Sequence, residues 1–360
     1  MVHPKPFARF VTRKWPPAVG GMERYSQRLA ERLPRFCHLD LVALPGRADG
    51  TTPSKIELAF FGIRTFLSFL FVRKSSDILH VGDMASWPLA LPYALWNRNG
   101  VIVVSAHGTD ISYALRDQLK NRVYKLYLAL FRHLIPSARI IANSSATATA
   151  LENLGFEVAR IVPLAADRPP RLEHSPPSKR LLFAGRLLHQ KGLSWFVSEV
   201  LPLLPSEIGL DVAGPVWDAT EAAALEDPRV EYRGNLAPKE LFQAYRDALS
   251  VIIPNRDLGS GHFEGFGLVA PEAAASGGVV VSADVGGLRD AVLDKETGFL
   301  LPAGDAEHWA AKLVEISNWS KVTREEFVSR SVSAAEWHFS WDRVVRDTFA
   351  VYTEGSGRQQ

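Results

Sequence analysis

Apolar residues follow two patterns along this chain, and each pattern predicts one kind of element. Short continuous apolar runs are typical of strands buried in a parallel sheet, whereas apolar residues three or four positions apart are typical of helices. In the first half, the runs predict strands at 7–12, 39–44, 77–81, 101–105, 139–144 and 158–164. The helical spacing predicts helices at 22–33, 61–73, 87–97, 113–136 and 147–154, the fourth as one helix or a pair. Strands and helices that alternate at this spacing form parallel sheets through right-handed crossovers.

The same alternation returns in the second half of the chain. It predicts strands at 180–184, 209–213, 230–234, 250–254, 279–282 and 298–302, and helices at 193–201, 239–248, from 268 onwards, 305–317 and 341–352. Between the halves, residues 165–178 hold four prolines and few apolar residues, which is typical of a linker. We therefore expect an N-terminal domain at 1–165, a linker at 166–178, a second domain at 179–335, and a C-terminal helix at 336–360.

Composition agrees with two soluble domains. The 360 residues are 47% hydrophobic and 22% charged, and domains usually hold roughly 150 residues each. The net charge of +2 gives no reason to expect nucleic acid as a partner. The single cysteine, Cys37, excludes an internal disulfide and is compatible with a reducing compartment. We expect it to be a buried apolar residue rather than a catalytic thiol.

Two segments bear on where the protein acts. Residues 59–72 form an apolar stretch of 14 residues that contains Arg64, shorter than the ~20 residues that span a bilayer, so we expect a buried helix. Residues 1–15 lack the apolar core of a secretory signal, which favours a cytoplasmic protein. The segment 113–136 combines apolar residues with six basic ones. It is either a helix on the anionic inner face of the cytoplasmic membrane or a core helix with a solvated basic face.

The densest chemistry lies in the stretch that begins at His262. Glu264 and Glu272 flank a Gly-Phe-Gly turn, and Pro271 predicts that a helix begins near Leu268, because proline is tolerated in a first turn. The backbone N–H groups of residues 267–270 then have no partner within the helix, which is an arrangement that binds phosphate. Carboxylates accept hydrogen bonds and suit sugar hydroxyls. A phosphate cradle beside two carboxylates predicts a nucleotide-sugar site.

Two cations and two strand ends add to this prediction. Arg186 and Lys191 lie between glycines just after the strand at 180–184, where they suit a pyrophosphate unless the loop is simply a solvated basic one. Gly20 and Gly21 follow the first strand and either let backbone approach a ligand or form a plain turn. His107 and Asp110 follow the strand at 101–105, and ligands of parallel sheets bind beyond such strand ends.

In combination, these motifs resemble the retaining nucleotide-sugar glycosyltransferases of family four, which have the GT-B fold. The resemblance covers nearly the whole chain, with residues 17–21, 77–81, 107–110, 185–192 and 264–287 carrying it. It implies an α/β fold of two Rossmann-like domains that face each other across a deep cleft, with the C-terminal helix at 336–360 crossing back to the first domain. Residues 162–167 and 277–279 depart from the usual family pattern, but the charged residues that the family's chemistry uses are all present.

The resemblance also implies roles for individual residues. Glu264 would hold the donor sugar near its anomeric carbon, Glu272 would bind the ribose, and Arg186 and Lys191 would neutralise the departing diphosphate. His107 would contact the transferred sugar. Other residues would contact a phosphate or the base of the donor through their backbone, namely Gly20, Gly21, Gly214, Leu236, Phe266, Gly267, Leu268 and Val269.

The implied reaction moves a sugar from a UDP- or GDP-sugar to a glycan or lipid-linked acceptor, with retention of anomeric configuration. It would serve bacterial cell-surface polysaccharide, lipopolysaccharide or glycolipid synthesis. No cofactor or metal is expected, since the cations supply positive charge and no clear Asp-x-Asp site is present.

Four other functions are alternatives to this one. A glycogen-type phosphorylase needs a pyridoxal lysine and a longer chain, and a Rossmann dehydrogenase needs a Gly-x-Gly-x-x-Gly after its first strand. A nucleotide-sugar epimerase is a further enzyme alternative. A non-catalytic nucleotide-sugar-binding or membrane-associated scaffold protein would be expected to lose the charged site residues, yet this chain keeps them.

Overall fold

The computed structural model describes residues 5–71, 76–116, 119–167, 169, 177–259 and 261–354. The chain divides into two compact units. The first comprises Met1–Leu164 and Trp341–Gln360, and the second comprises Ala165–Ser340. Most of the predicted linker 166–178 lies outside the described residues, and the predicted domain boundaries stay a prediction.

A six-stranded parallel sheet forms the centre of the first unit, with the strand order β2-β1-β3-β4-β5-β6. Its strands are β1 (Phe7–Trp15), β2 (His38–Pro45), β3 (Ile78–Val81), β4 (Val101–Ala106), β5 (Arg139–Ala142) and β6 (Val158–Ile161). All four residues of β3 are buried, as expected for a central strand that helices cover on both faces. Each of the six predicted strands is present, with ends that differ by up to three residues.

In the described parts of the chain, these strands are connected by the helices α1 (Gly21–Arg32), α2 (Lys55–Phe71), α3 (Leu91–Trp96), α4 (Thr109–Ser112), α5 (Leu119–Leu134) and α6 (Ser145–Glu152). The helix predicted at 87–97 is instead a 3₁₀ segment, Met84–Ala90, followed by α3. Pro88 lies inside the 3₁₀ segment and Pro92 in the first turn of α3, so the prolines divide what the apolar spacing predicted as one helix. Residues 72–73 of the predicted helix 61–73 and residues 117–118 of the predicted segment 113–136 lie outside the described residues.

The expectation of a buried helix at 59–72 is wrong for one side of α2. Phe61, Thr65 and Phe69 are buried against the unit, but Phe60 and Phe71 are mainly exposed. The sequence reports that both sides of this helix are apolar, but only packing decides which side is covered.

The second unit is built on another parallel sheet, with the strand order β9-β8-β7-β10-β11-β12. Its strands are β7 (Arg180–Ala184), β8 (Gly209–Ala213), β9 (Val230–Gly234), β10 (Val251–Ile253), β11 (Val280–Ala283) and β12 (Gly298–Leu301). Counted from β7, this is the strand order 3-2-1-4-5-6 of dinucleotide-binding folds.

The helices of the second unit are α7 (Leu193–Trp195), α8 (Ala219–Ala222), α9 (Pro238–Asp247), α10 (Val269–Ala275), α11 (Leu288–Ala291), α12 (Ala306–Ser317) and α13 (Lys321–His338). The predicted helix at 193–201 is α7 continued by a π-helical turn, Phe196–Val200, and a 3₁₀ turn, Leu201–Leu203. Sequence reasoning missed α13, whose buried side comprises Phe327, Ser331, Ala334 and Ala335. Because most of these buried residues are small or polar, the segment shows little of the apolar spacing that predicts a helix.

The last helix, α14 (Trp341–Thr353), belongs to the first unit. The Nδ1 atom of His80 in β3 lies 2.7 Å from the Tyr352 hydroxyl, and its Nε2 lies 2.8 Å from the Ser105 hydroxyl. The Tyr25 hydroxyl lies 2.9 Å from the same serine oxygen. All four side chains are buried, so this network ties α14 to the sheet and to α1. Among the described residues, no helix is long and apolar enough to cross a membrane.

Candidate functional site

The second sheet has its topological switch point between β7 and β10, because the chain leaves these two neighbours in opposite directions. In open α/β sheets, ligands bind outside the carboxyl ends of the strands at such a point. There β7 leads to Gly185 and Arg186, and β10 leads to Pro254 and Asn255. The predicted cationic loop therefore begins at the edge where this fold places ligands.

Gly192 holds the loop after β7 against the loop after β10. Its backbone is left-handed, with φ of 71°, and a β-carbon placed on it would lie 2.1 Å from the carbonyl oxygen of Pro254. The Arg256 N–H also donates a hydrogen bond to the Gln190 carbonyl at 2.9 Å. A side chain at position 192 would push these loops apart, which explains why glycine follows Lys191.

Lys191, Glu264 and Asn255 meet at this switch point. The Lys191 ammonium forms an ion pair with Glu264 Oε2, and the Asn255 amide nitrogen donates to the same oxygen at 3.1 Å. The lysine and glutamate side chains are only 16% and 18% exposed, so water screens the pair weakly. Burial alone would raise the pKa of the Glu264 carboxyl, but the Lys191 ammonium, the Asn255 amide and the Arg186 guanidinium lower it below its usual value. Glu264 is therefore an ionised acceptor at neutral pH.

Arg186 lies at the surface of the same region. Its guanidinium carbon is 4.7 Å from the centroid of the Trp217 ring, a cation–π arrangement that restrains the side chain without consuming its hydrogen-bond donors. The structure thus brings Lys191 directly to Glu264, whereas Arg186 acts on Glu264 through its charge.

The predicted phosphate cradle lies in the turn before α10, and one of its four N–H groups is already paired. Gly267 has φ of 91°, and a β-carbon on it would lie 2.4 Å from Leu288 Cδ2. Leu268 caps the helix that begins at Val269. The expectation that the Ala270 N–H is unpaired is wrong, because it donates to the Gly267 carbonyl at 3.1 Å. The candidate cradle is therefore shorter, consisting of residues 267–269.

Two neighbours of this turn are buried. The Phe266 side chain packs against Phe339 at 6.3 Å between ring centroids, which leaves its backbone as the part available to a ligand. Glu272 is buried in the first turn of α10.

A small cavity of about 80 Å³ opens beside Glu264. His262, the first residue of the predicted motif, contributes to its wall together with Asn255, Arg256 and Arg289, which sequence reasoning passed over. Asn255 could have been found, because it lies two residues after the end of β10, and a position just after a strand was the signal used for His107.

In the first unit, His107 and Asp110 lie just past β4. Nε2 of His107 is 3.0 Å from the Gly82 carbonyl, while its buried Nδ1 has no partner within the described parts of the chain. The Tyr25 ring meets the imidazole edge-on at 4.8 Å. Asp110 accepts from the His107 and Met84 N–H groups at 2.9 and 3.1 Å. Burial raises the pKa of Asp110 above its usual value.

A second strand end of the first unit carries an ion pair that sequence reasoning missed. Asp83 follows β3, is fully buried, and pairs with the Arg13 Nε atom at 3.1 Å. The Ser86 hydroxyl donates to the same carboxylate at 2.9 Å. Its position after a strand was again a usable signal.

The predicted glycines and Leu236 also lie after strands. Gly20 precedes α1, and a β-carbon on it would lie 2.3 Å from the Glu23 carboxylate, which pairs with Lys14 at 3.3 Å. Gly21 is the first residue of α1. Gly214 follows β8, close to the Gly185 carbonyl, and Leu236 is partly exposed beyond β9.

Comparison with known families shows which family the chain belongs to. A family model described as Glycosyltransferase Family 4 matches residues 19–167, and one described as Glycosyl transferases group 1 matches residues 178–318. This chain is a family-four glycosyltransferase. The assignment confirms the predicted family and, with it, the GT-B fold.

Curated relatives of this glycosyltransferase agree with the assignment. It is 29% identical over 326 residues to a GDP-mannose-dependent alpha-mannosyltransferase of Mycobacterium tuberculosis, a match that covers 81% of this chain and 82% of the relative. It is 32% identical over 244 residues to a D-inositol 3-phosphate glycosyltransferase of Paenarthrobacter aurescens, covering 61% of this chain and 58% of that one. The chain therefore spans less than two thirds of the second relative's length.

Solved structures share the fold at low sequence identity. Sucrose-phosphate synthase from Thermosynechococcus elongatus superposes with a TM-score of 0.73 at 18% identity, over 99% of this chain and all of that one. HepE of Anabaena, solved with UDP-glucose, superposes with a TM-score of 0.70 at 16% identity, over 96% of this chain and 99% of that one.

Proposed function

We propose that the second unit binds the diphosphate of a UDP- or GDP-sugar and that the glycosyltransferase transfers this sugar with retention of anomeric configuration. The observation that carries the proposal is the Lys191–Glu264–Asn255 cluster at the β7/β10 switch point. It places a cation, an ionised acceptor and a glycine turn where dinucleotide-binding folds hold phosphate.

The proposed chemistry uses each charge for one purpose. The Lys191 ammonium has three N–H donors, and its hydrogen bond to Glu264 uses one of them. Lys191 can therefore also donate to a phosphate oxygen. Arg186, held against Trp217, can bind a second phosphate oxygen bidentately. Cations that are already in position stabilise charge as it develops on the departing diphosphate. The phosphate oxygen would accept the acceptor's proton on the same face, so no protein nucleophile is needed.

Glu264 and Glu272 keep the roles proposed from the sequence. Glu264 would accept hydrogen bonds from donor-sugar hydroxyls, for which its ionised state is suited. Glu272 would accept them from the ribose. His107, Gly20 and Gly21 lie in the first unit, and their contacts with the donor stay a prediction.

The relatives support both donor bases. The M. tuberculosis mannosyltransferase is named for GDP-mannose, and HepE was solved with UDP and with UDP-glucose. We propose a glycan or lipid-linked acceptor in bacterial cell-surface polysaccharide or glycolipid synthesis, reached at the cytoplasmic face of the membrane.

A thermal-shift screen of UDP, GDP, UDP-glucose and GDP-mannose, with ATP as the control, tests donor binding. A ligand at 100 times its dissociation constant stabilises the protein by about 2.7 kcal/mol, and we expect this from one base series but not from ATP. Absence of any shift from all four ligands contradicts the proposal. Binding without sugar transfer to any acceptor would favour the non-catalytic scaffold protein.

Metal independence is tested in the same preparation. We expect transfer rates in EDTA and in Mg²⁺ to agree within about twofold, since the proposed site relies on cationic side chains. Loss of activity in EDTA that Mg²⁺ restores would contradict this part of the proposal.

A further inference from the structure

The outer side of α2 carries a row of large apolar side chains. Ile56, Phe60, Ile63, Leu67 and Phe71 follow each other at intervals of four, three, four and four residues and are between 44% and 81% exposed. This spacing places them along one face of a helix. The opposite face, with Phe61, Thr65 and Phe69, is buried. We call the exposed row the α2 stripe.

Helix α5 carries a second row with the same intervals. Leu119, Val123, Leu126, Leu130 and Leu134 are between 45% and 80% exposed, while Leu128 and Phe131 are buried. We call this row the α5 stripe. Ten exposed large apolar side chains on two helices of one unit exceed the scattered apolar residues of an ordinary surface and indicate a contact with something apolar.

An apolar groove of about 540 Å³ lies between α2 and the segment 84–90, with α5 at its border. Leu58, Phe61 and Phe66 of α2 line it opposite Pro88 and Leu89, and Tyr127 reaches it from α5. Its volume falls within the roughly 300–1,000 Å³ of small-ligand sites. Arg13, which is held by Asp83, is a charged residue in its lining.

The charges beside the α5 stripe favour one kind of partner. From Leu119 to Leu134, α5 contains Lys120, Arg122, Lys125 and Arg132, and it contains no Asp or Glu. A cationic helix with an apolar outer row is the pattern of helices that lie in the headgroup region of an anionic bilayer. A second copy of this chain fits poorly, because a symmetric contact through this face would place the cations of α5 against each other.

We propose that the groove binds one hydrocarbon chain of an anionic lipid, delivered from a bilayer on which the α2 and α5 stripes lie. The identity of the bound lipid rests on the proposed function, in which the acceptor is lipid-linked. The acceptor would then be an amphiphile whose hydrocarbon chain occupies the groove.

Gly62 offers a direct test of the groove. It lines the groove from α2, and a β-carbon placed on it meets no atom within 4 Å. Gly62→Phe should therefore fill the groove without disturbing the core, and Gly62→Ala is the matched control. The probe is dodecyl phosphate below its micelle concentration, measured by calorimetry with the full chain.

We expect Gly62→Phe to weaken dodecyl phosphate binding at least about tenfold, because excluding two methylenes already accounts for that factor. Gly62→Ala should bind within about twofold of the parent. Equal binding by all three proteins, or binding of inorganic phosphate as tight as that of dodecyl phosphate, would overturn the chain-binding groove.

The stripes are tested separately by sedimentation with vesicles. Ile56→Gln, Phe60→Gln and Phe71→Gln combined alter stripe residues that do not line the groove. The control combines Val322→Gln and Trp337→Gln, which change exposed apolar residues of α13. We expect the parent and control to sediment with phosphatidylglycerol vesicles and not with phosphatidylcholine vesicles, and the stripe variant to lose most of this binding.

Two further outcomes would overturn the proposal. One is vesicle binding that the stripe variant retains in full. The other is a dimer in lipid-free sedimentation that the stripe variant dissociates, since the stripes would then be a self-association surface. The nucleotide thermal shift reports on the second unit, so its failure would remove the proposed function while leaving the lipid measurements intact.

Discussion

At the residue scale, the site depends on one buried charge balance. Glu264 is ionised because Lys191, Asn255 and Arg186 together outweigh the effect of its burial. The same ion pair holds Lys191 at the proposed diphosphate site. Each partner therefore positions the other, and removing one alters both the charge and the geometry of the site.

Lys191→Met should reduce turnover by about 100-fold with the donor that gives the largest thermal shift. The methionine keeps the length of the side chain but removes the charge that, in the proposed mechanism, stabilises the leaving diphosphate. The measurement is kcat, with Lys179→Met, an exposed lysine of the same unit, as the control. Lys191→Arg should recover part of the loss. Full activity of Lys191→Met would show that Lys191 is not part of the catalytic machinery.

Gly267→Ala should destabilise the protein more than Gly304→Ala does. Both glycines have positive φ, 91° and 80°, so each alanine carries a backbone cost of roughly 1–2 kcal/mol. Only position 267 adds a clash, with Leu288 Cδ2 2.4 Å from the new carbon, whereas position 304 has open space. Chemical unfolding of both variants measures the difference. Equal losses would mean that Leu288 moves aside without cost.

At the element scale, the two faces of a helix can serve different purposes. The buried face of α2 packs on the unit through Phe61 and Phe69, while its outer face carries a second apolar row. In α5, the basic residues accompany such a row. Apolar residues at helical spacing thus predict a helix, and the charges beside them indicate whether its outer face contacts water or a layer of lipid headgroups.

Changing Lys120, Arg122 and Lys125 to glutamine should weaken sedimentation with phosphatidylglycerol vesicles. Each cation near an anionic surface contributes about 1 kcal/mol of attraction, so the triple change should weaken binding more than tenfold at low salt. Lys179, Lys239 and Lys321 changed to glutamine form the matched control from the second unit. Unchanged sedimentation of the α5 variant would remove its charges from membrane binding.

The anchoring of α14 should be sensitive to acid. Burial, with a smaller contribution from His107, lowers the pKa of His80 to about 3, whereas an unfolded histidine titrates near 6.5. Below the unfolded value the unfolded chain binds the extra proton, so this stability is present above pH ~6.5 and is lost as the pH falls towards the folded pKa. His80→Asn should be less stable at pH 7.5 but should lose less stability between pH 7.5 and 5. Thermal unfolding between pH 7.5 and 5 measures this change, and His133→Asn, at an exposed histidine, is the control. If the stability of His80→Asn fell with pH as steeply as that of the parent, His80 would not be the source of the acid sensitivity.

At the scale of the whole molecule, both units put their chemistry at strand ends of a parallel sheet. In the second, β7 and β10 flank the switch point, and Lys191, Asn255 and Glu264 come from the loops beyond them. In the first, β3 and β4 lead to Asp83 and His107. Strand order alone therefore accounts for where both clusters lie.

The sequence by itself determined the parallel strands of both described sheets, the family and the positions of the charged candidates after strands. These features follow from local signals, because an apolar run predicts a buried strand and a glycine pair or motif predicts a turn of the chain. Only the tertiary structure decided that Asn255 shares Glu264 with Lys191, that the Ala270 N–H is already paired, and that α13 is a helix with small buried residues. It also decided that the outer side of α2 is uncovered and borders a groove. The physical reason is that a pattern specifies which face of an element is apolar, whereas partners and coverage depend on elements distant in the chain.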